Sequence, residues 1–260
     1  MVTSLLQGGL GNYMFQIAAA QALALDVGTE AVFDFNRASQ VHRNIRGYQD
    51  NILSEVKDVK NPRFGHKYNE PNFGYNTLPK IDNQLLIGYF QSEKYFEHHR
   101  DEIVRLFLSP TPESYKLLDD FIYKNLDAPI KEYCAIHVRR GDYVKLAAHH
   151  PPLTMDYYRE AIAKIKAKKF LVFSDDMVWC KENFVGDQYT FVEGNPDYID
   201  LYLIAYCHKI IIANSSFSWW AAWLGEAETV VSPQHWRWFG PAKGDIITTD
   251  IIPEGWLLTH

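Results

Sequence analysis

The segment CAIHVRRGDY (residues 134–143) decides the fold: a short run that is apolar but for His137 turns abruptly into Arg139, Arg140, Gly141 and Asp142. Such a run fits a strand inside a sheet, and the sharp polar border fits its carboxyl end. Downstream the pattern alternates. A helix over about 154–168 precedes a strand at 170–173, and a short helix near 179–183 precedes a strand at 189–192. A helix at 198–207, a strand at 209–213, a helix at 216–224 and a strand at 229–232 follow. Strands alternating with helices predict a parallel, doubly wound sheet with right-handed crossovers.

Upstream, a strand at 2–6 leads through Gly8, Gly9 and Gly11 into a helix over about 12–26, and a strand is expected at 31–34. Phe15, Ala18, Ala22 and Leu25 recur at helical spacing and Gly28 supplies the stop, so the chain begins as a β-α-β unit. Residues 61–80, rich in Pro, Asn and Gly, read as a long loop. A strand at 85–90 follows, then a helix capped by Ser92 and carrying Phe96, Ile103, Leu106 and Phe107, then a helix at 113–126. Asp127-Ala128-Pro129 ends that helix. The expected domains are therefore 1–128 and 129–260, with a final segment free to pack back on the first.

Composition excludes several classes. Lys and Arg number 26 against 32 Asp and Glu, a formal charge of −6, which lacks the broad basic field of a nucleic-acid binder. With 47% hydrophobic and 22% charged residues the chain packs as a globular protein. Cys134, Cys180 and Cys207 match neither a disulfide framework nor a zinc pattern and fit a reducing cytoplasm. The first eight residues have no basic leader, and no apolar window is long enough to span a membrane, leaving peripheral association as the only membrane role.

In an open parallel sheet, ligands bind beyond the carboxyl ends of the strands. Three ends are polar: His137 to Tyr143, then Ser174-Asp175-Asp176, then Asn214-Ser215-Ser216-Phe217-Ser218 at a helix start. Arginines and a helix N-terminus with serine hydroxyls suit a phosphorylated ligand. Each residue also has a plainer reading. Arg139 and Arg140 can be a surface pair bridged to Asp142, Ser215 and Ser216 can be helix caps, and His137 can be a core histidine. Asp175 and Asp176 can bind a nucleotide or a divalent cation, and adjacent acids pointing apart favour the former. The glycine turn with Asp34 also resembles a nicotinamide dinucleotide site, although Met14 replaces the third glycine. Trp219 and Trp223 read as core rather than sugar-stacking surface.

Five segments, in order, carry a resemblance: GGLGNYMFQ (8–16), GYFQSEKYF (88–96), HVRRGDY (137–143), FSDD (173–176) followed by WCKENF (179–184), and DLYLIAYCHKIIIANSSFSWWAAWL (200–224). Together they resemble the α-1,2-fucosyltransferases of glycosyltransferase family 11. The HxRRGD motif is shared with neighbouring α-1,6- and protein O-fucosyltransferase families, so it points to fucosyl transfer more firmly than to linkage.

The resemblance implies an α/β fold of GT-B type, two facing Rossmann-like domains with parallel sheets. It implies GDP-fucose on the C-terminal domain, a galactoside acceptor towards the N-terminal one, inversion at the anomeric carbon, and no metal or other cofactor. On that likeness Arg139 grips the β-phosphate, with Arg140 and His137 assisting, and Asn214, Ser215, Ser216, Phe217 and Ser218 bind the diphosphate. Asp175 or Asp176 meets the guanosine. Gly9, Gly11, Asn12, Tyr13 and Gln91 lie on the acceptor side, with Asn12 near the reacting sugar. Asp142, then His137, are the candidates for general base. Tyr13 stands where the family usually has Gln, and the chain is short for the family, which implies altered acceptor contacts and trimmed acceptor loops. Animal members are membrane-anchored, so the expectation here is a cytoplasmic bacterial enzyme making surface glycans.

Overall fold

The N-terminal strand, Val2–Ser4 (β1), is buried along its whole length and leads into Leu10–Asp26 (α1). The sequence of α1 is almost wholly apolar or small, so the helix is buried on nearly every side rather than along one stripe. In the computed structural model, which describes residues 1–39 and 45–259, this unit continues with Phe35–Ser39 (α2), His66–Asn69 (β2), Gln84–Ile87 (β3) and Arg100–Phe107 (α3). Its sheet runs β1-β3-β2, all parallel, with Val2 and His66 both opposite Gln84. Phe15 of α1 meets Phe96 at 6.0 Å between ring centres.

Several expectations change in this unit. Residues 31–34 supply isolated bridges, Val2 to Ala31 and Phe33 to Asp58, in place of a strand. The loop expected over 61–80 contains β2, whose polar and mostly exposed HKYN sequence carries no apolar alternation to announce it. The strand expected at 85–90 stops at Ile87, because Phe90 takes a left-handed φ of +52°. Ser92 does cap, accepting from the Lys94 N–H at 3.4 Å, but it opens two short 3₁₀ turns that precede α3.

The second unit comprises Pro112–Asn125 (α4), Cys134–Val138 (β4), Gly141–Lys145 (α5), Met155–Ile165 (α6), Phe170–Ser174 (β5), Met177–Asn183 (α7) and Tyr189–Phe191 (β6). It goes on with Asp197–Ala205 (α8), Lys209–Ile211 (β7), Ser216–Leu224 (α9), Thr229–Pro233 (β8) and Leu257–Thr259 (β9). Chain contacts group residues 1–111 with 246–253, and 112–245 with 254–260. The division thus falls at 111/112 instead of 128/129, because α4 packs against α8. Of the final segment, 246–253 belongs with the first unit and 254–260 returns to the second.

The six strands of the second unit are parallel in the order β6-β5-β4-β7-β8-β9. From β4 the chain winds outward through β5 and β6, then returns to the other side of β4 with β7. Strand order therefore reverses between β4 and β7, the position at which an open α/β sheet leaves a crevice for ligand. The core on one face joins Ile136, Val138, Tyr157, Tyr158, Val172 and Ile211. The Tyr157 hydroxyl donates to the Ile212 carbonyl at 2.5 Å, so this buried polar group is satisfied.

Trp219, Trp220 and Trp223 on α9 are buried and packed ring against ring, with Trp219 also 5.8 Å from Trp256. The core reading of Trp219 and Trp223 therefore holds, and of the tryptophans in this unit Trp236 is the exposed one. Because Trp219 is 0% exposed, Trp219→Ala is expected to lower stability by about 3–5 kcal/mol. A urea titration that moves the midpoint by less than about 1 kcal/mol equivalent would contradict that packing role.

Candidate functional site

All strand ends of a parallel sheet open on one edge, so β4, β5 and β7 deliver the predicted polar residues to the same side of the second unit. The Asp175 carboxylate, just past β5, fastens them. Its Oδ1 accepts the N–H groups of Arg140 and Gly141 at 2.9 and 3.0 Å, and its Oδ2 pairs with Arg139 Nη1 at 2.8 Å. Gly141 is required by this approach: a Cβ there would lie 2.5 Å from Asp175 Oδ2.

Arg139 carries a second carboxylate. Its Nη2 donates to Asp142 Oδ1 at 2.6 Å, and its guanidinium lies 5.2 Å from the centre of the Tyr143 ring. Asp142 and Tyr143 belong to α5, a short helix that the sequence pattern did not reveal. The Tyr143 hydroxyl donates to the Asn214 carbonyl at 3.2 Å, joining the exits of β4 and β7. Burial pushes the Tyr143 phenol up to about 12, so it remains a proton donor. Tyr143 also stacks on His150 at 4.9 Å.

Arg140 is committed elsewhere. Its Nε donates to Asp176 Oδ2 at 3.1 Å, and its guanidinium sits 4.1 Å over the Trp179 ring. Asp176 in turn caps α7 through its Oδ1, which accepts the Trp179 N–H at 3.2 Å. All four carboxylate oxygens of Asp175 and Asp176 thus hold protein N–H donors, two of them arginine groups.

His137 closes the floor of the site. It is 6% exposed, its ring is 5.3 Å from Phe217, and its Nδ1 has no hydrogen-bond partner among the described residues. Burial, with Arg139 adding to it, holds the imidazole down to about 3, so it is neutral at physiological pH.

On the β7 side, Ser215 is the N-cap of α9 but makes no side-chain capping bond, and Ser216 and Phe217 are partly exposed on the first turn. Ser218 and Asn214 turn inward instead. The Ser218 hydroxyl accepts from Ala213 N–H at 3.3 Å, and the Asn214 amide donates to the carbonyls of Pro151 and Arg237 at 2.9 and 3.0 Å. Both brace the loop that presents Ser215 to Phe217.

The remaining predicted residues lie in the first unit. Gln91 Nε2 donates to Asn12 Oδ1 at 2.7 Å, so two of them meet although 79 positions apart. Gly9 is the N-cap of α1, and Gly11 and Tyr13 are buried within it. Tyr13 is 0% exposed and packs as core.

The sequence profile of glycosyl transferase family 11 matches residues 1–236 of this 260-residue chain. The chain belongs to glycosyl transferase family 11. The five motifs quoted above, ending at residue 224, all lie within the matched residues. It is 31% identical to the O-antigen biosynthesis glycosyltransferase WbnK of Escherichia coli, over 95% of this chain and 98% of that protein. An α-1,2-colitosyltransferase of Escherichia coli is 29% identical, over 99% of this chain and 98% of the other. The crystal structure of the NodZ α-1,6-fucosyltransferase soaked with GDP-fucose shares the fold, with TM-score 0.59 and 15% identity over 90% of this chain and 94% of that one. Membership of a glycosyltransferase family displaces the nicotinamide reading of the glycine turn.

Tyr143 and Trp179 are members of this cluster that sequence reasoning passed over as site residues. Asp176 and Trp179 stand three apart, the spacing of an N-cap and its N–H donor, and that was the available signal. Nothing local marks Tyr143, whose partner is 71 residues away.

His137 makes a pH prediction. Its folded value near 3 lies below the ordinary 6.5, so the unfolded chain binds a proton over that interval that the folded chain does not. Its contribution is complete above pH 6.5 and is lost as pH falls, by up to about 1.4 kcal/mol per pH unit. Urea titrations from pH 7 to 4 should show a shallower loss in His137→Asn than in the wild type. Parallel slopes would contradict a buried neutral imidazole.

Proposed function

We propose that this family 11 glycosyltransferase moves L-fucose from GDP-β-L-fucose to the 2-hydroxyl of a terminal galactoside, with inversion, in the synthesis of a bacterial surface glycan. The observation that carries this reading is the convergence of Arg139 and the N-terminus of α9 at the point where strand order reverses. A diphosphate there would meet a guanidinium from β4 and helix N–H groups with serine hydroxyls from β7. In this reading the fold is of GT-B type, with the donor on the second unit and the acceptor on the first. The chemistry needs no metal, because arginine and the helix terminus supply the positive potential.

In an inverting transfer the acceptor hydroxyl attacks the fucosyl carbon as GDP departs, and charge grows on the β-phosphate. Donors aimed at that oxygen stabilise the transition state beyond the ground state. A guanidinium has five N–H donors, and Asp142 and Asp175 use one on each terminal nitrogen, so donors remain for phosphate. Asp142 is the proposed general base. Its Oδ1 is held by Arg139, while Oδ2 has no partner among the described residues and can take the acceptor proton. His137 contributes a neutral wall beside Phe217 instead of a base.

A second donor has specific support. The identity to an α-1,2-colitosyltransferase extends over nearly the whole of both chains, which favours colitosyl in place of fucosyl as the sugar transferred. The diphosphate site serves both readings, and a donor screen separates them.

Arg139→Ala should lower turnover by at least about 10²-fold while the protein stays folded. Asp142→Asn should lower turnover and remove the acidic limb of the pH–rate profile. Near-normal turnover in the first, or an unchanged profile with retained activity in the second, would overturn that assignment.

Ligand binding tests the donor class. In EDTA, GDP at 100 times its dissociation constant should stabilise the protein by about 2.7 kcal/mol, and UDP and NAD should leave the thermal midpoint unchanged. Binding of NAD alone, or of GDP only after magnesium is added, would contradict the metal-free donor site.

A further inference from the structure

The first unit contains a half-buried carboxylate that none of the chemistry above uses. Glu70 lies one residue past β2, and its N–H donates to the Ile87 carbonyl at 2.8 Å, which holds it beside the end of β3. Its Oε2 accepts the Tyr89 N–H at 2.7 Å and its Oε1 the Phe90 N–H at 3.0 Å. Among the described residues it has no cationic partner. Burial raises its carboxyl to about 6. The titratable groups around it are phenols: Tyr68 on β2 and Tyr95 from the first 3₁₀ turn.

A half-buried carboxylate with no cation beside it is held by its hydrogen bonds alone, so the groups it holds are informative. The turn it holds is strained. Phe90 is fully buried and is one of four non-glycine residues with positive φ among those described. Gly88 lies so close to Glu70 that any side chain there would collide with it. The next residue after Phe90, Gln91, donates to Asn12 Oδ1 at 2.7 Å. A carboxylate is the side chain that can accept two backbone N–H groups at once. A Gln amide would set its NH₂ against one of them.

We infer that Glu70 is a positioning residue for transfer: it locks the turn at 88–91 in the conformation from which Gln91 orients the Asn12 amide. This rests on the reading of Asn12 as a contact to the reacting sugar and acceptor. Glu70 itself touches neither, so removing it should disturb the chemical step and spare donor binding.

The test uses Glu70→Gln, Glu70→Asp, Asn12→Ala and the double variant E70Q/N12A in the full-length enzyme. Glu70→Gln is expected to lower kcat at least tenfold, with the GDP dissociation constant and donor KM within twofold of wild type and an intact near-UV circular dichroism spectrum. Glu70→Asp, which keeps the carboxylate, should recover part of the loss and carries the test if Glu70→Gln does not fold. The double variant should be no slower than the worse single variant, because both act through one amide. Wild-type kcat in Glu70→Gln, or losses that multiply in the double variant, would overturn the proposal. Full activity in Asn12→Ala would instead remove the Asn12 reading on which it stands, and the GDP and Arg139 measurements would be unaffected.

Discussion

The Asp175 carboxylate is the tie on which the geometry at the ends of β4 and β5 depends. It sits at the end of β5 yet binds two backbone N–H groups and one guanidinium at the end of β4, so it sets both the path of the chain into α5 and the direction of Arg139. The arrangement needs a glycine at 141, two consecutive N–H groups turned to one oxygen, and an arginine whose charge compensates the acid. Charge-assisted bonds of this kind are stronger than neutral ones, and a partly buried network of them is rigid. Losing the carboxylate would release the turn and leave Arg139 with Asp142 as its one acidic partner among the described residues.

The other charges follow from that tie. Two guanidiniums leave β4 side by side, and they serve different purposes because their partners differ. Arg140 is consumed by Asp176 and Trp179 and fastens the start of α7. Arg139 is held by two acids but keeps donors to spare, so it remains the group able to meet a ligand. Tyr143 then links α5 to Asn214, and the loop before α9 is braced by Asn214 and Ser218 from within. The partly exposed residues of that first turn, Ser216 and Phe217, are held by residues that are buried.

Much of this was legible in the residues. The five-residue run ending at Val138, apolar but for His137, marked β4 without ambiguity, and the helix at 216–224 was read to its observed limits. Strand order could not be read: nothing local tells that β7 lies beside β4, since parallel pairing is decided by packing across the whole sheet. β2 was missed because its side chains are polar and exposed, and α5 because five residues carry no periodicity. The family resemblance gave Arg139 the phosphate and Arg140 an assisting part, and the positions of Asp175, Asp176 and Trp179 show what holds each of them. Asn12 and Gln91 were each singled out from motifs, while Glu70 sits in a stretch that read as loop.

The most direct test of the donor site is a crystal structure of the protein with GDP. The diphosphate is expected within hydrogen-bond distance of the Arg139 guanidinium and of the first N–H groups of α9, between the ends of β4 and β7. A diphosphate bound instead at the glycine turn of residues 8–12, or one that leaves Arg139 untouched, would contradict a donor site built on Arg139 and α9.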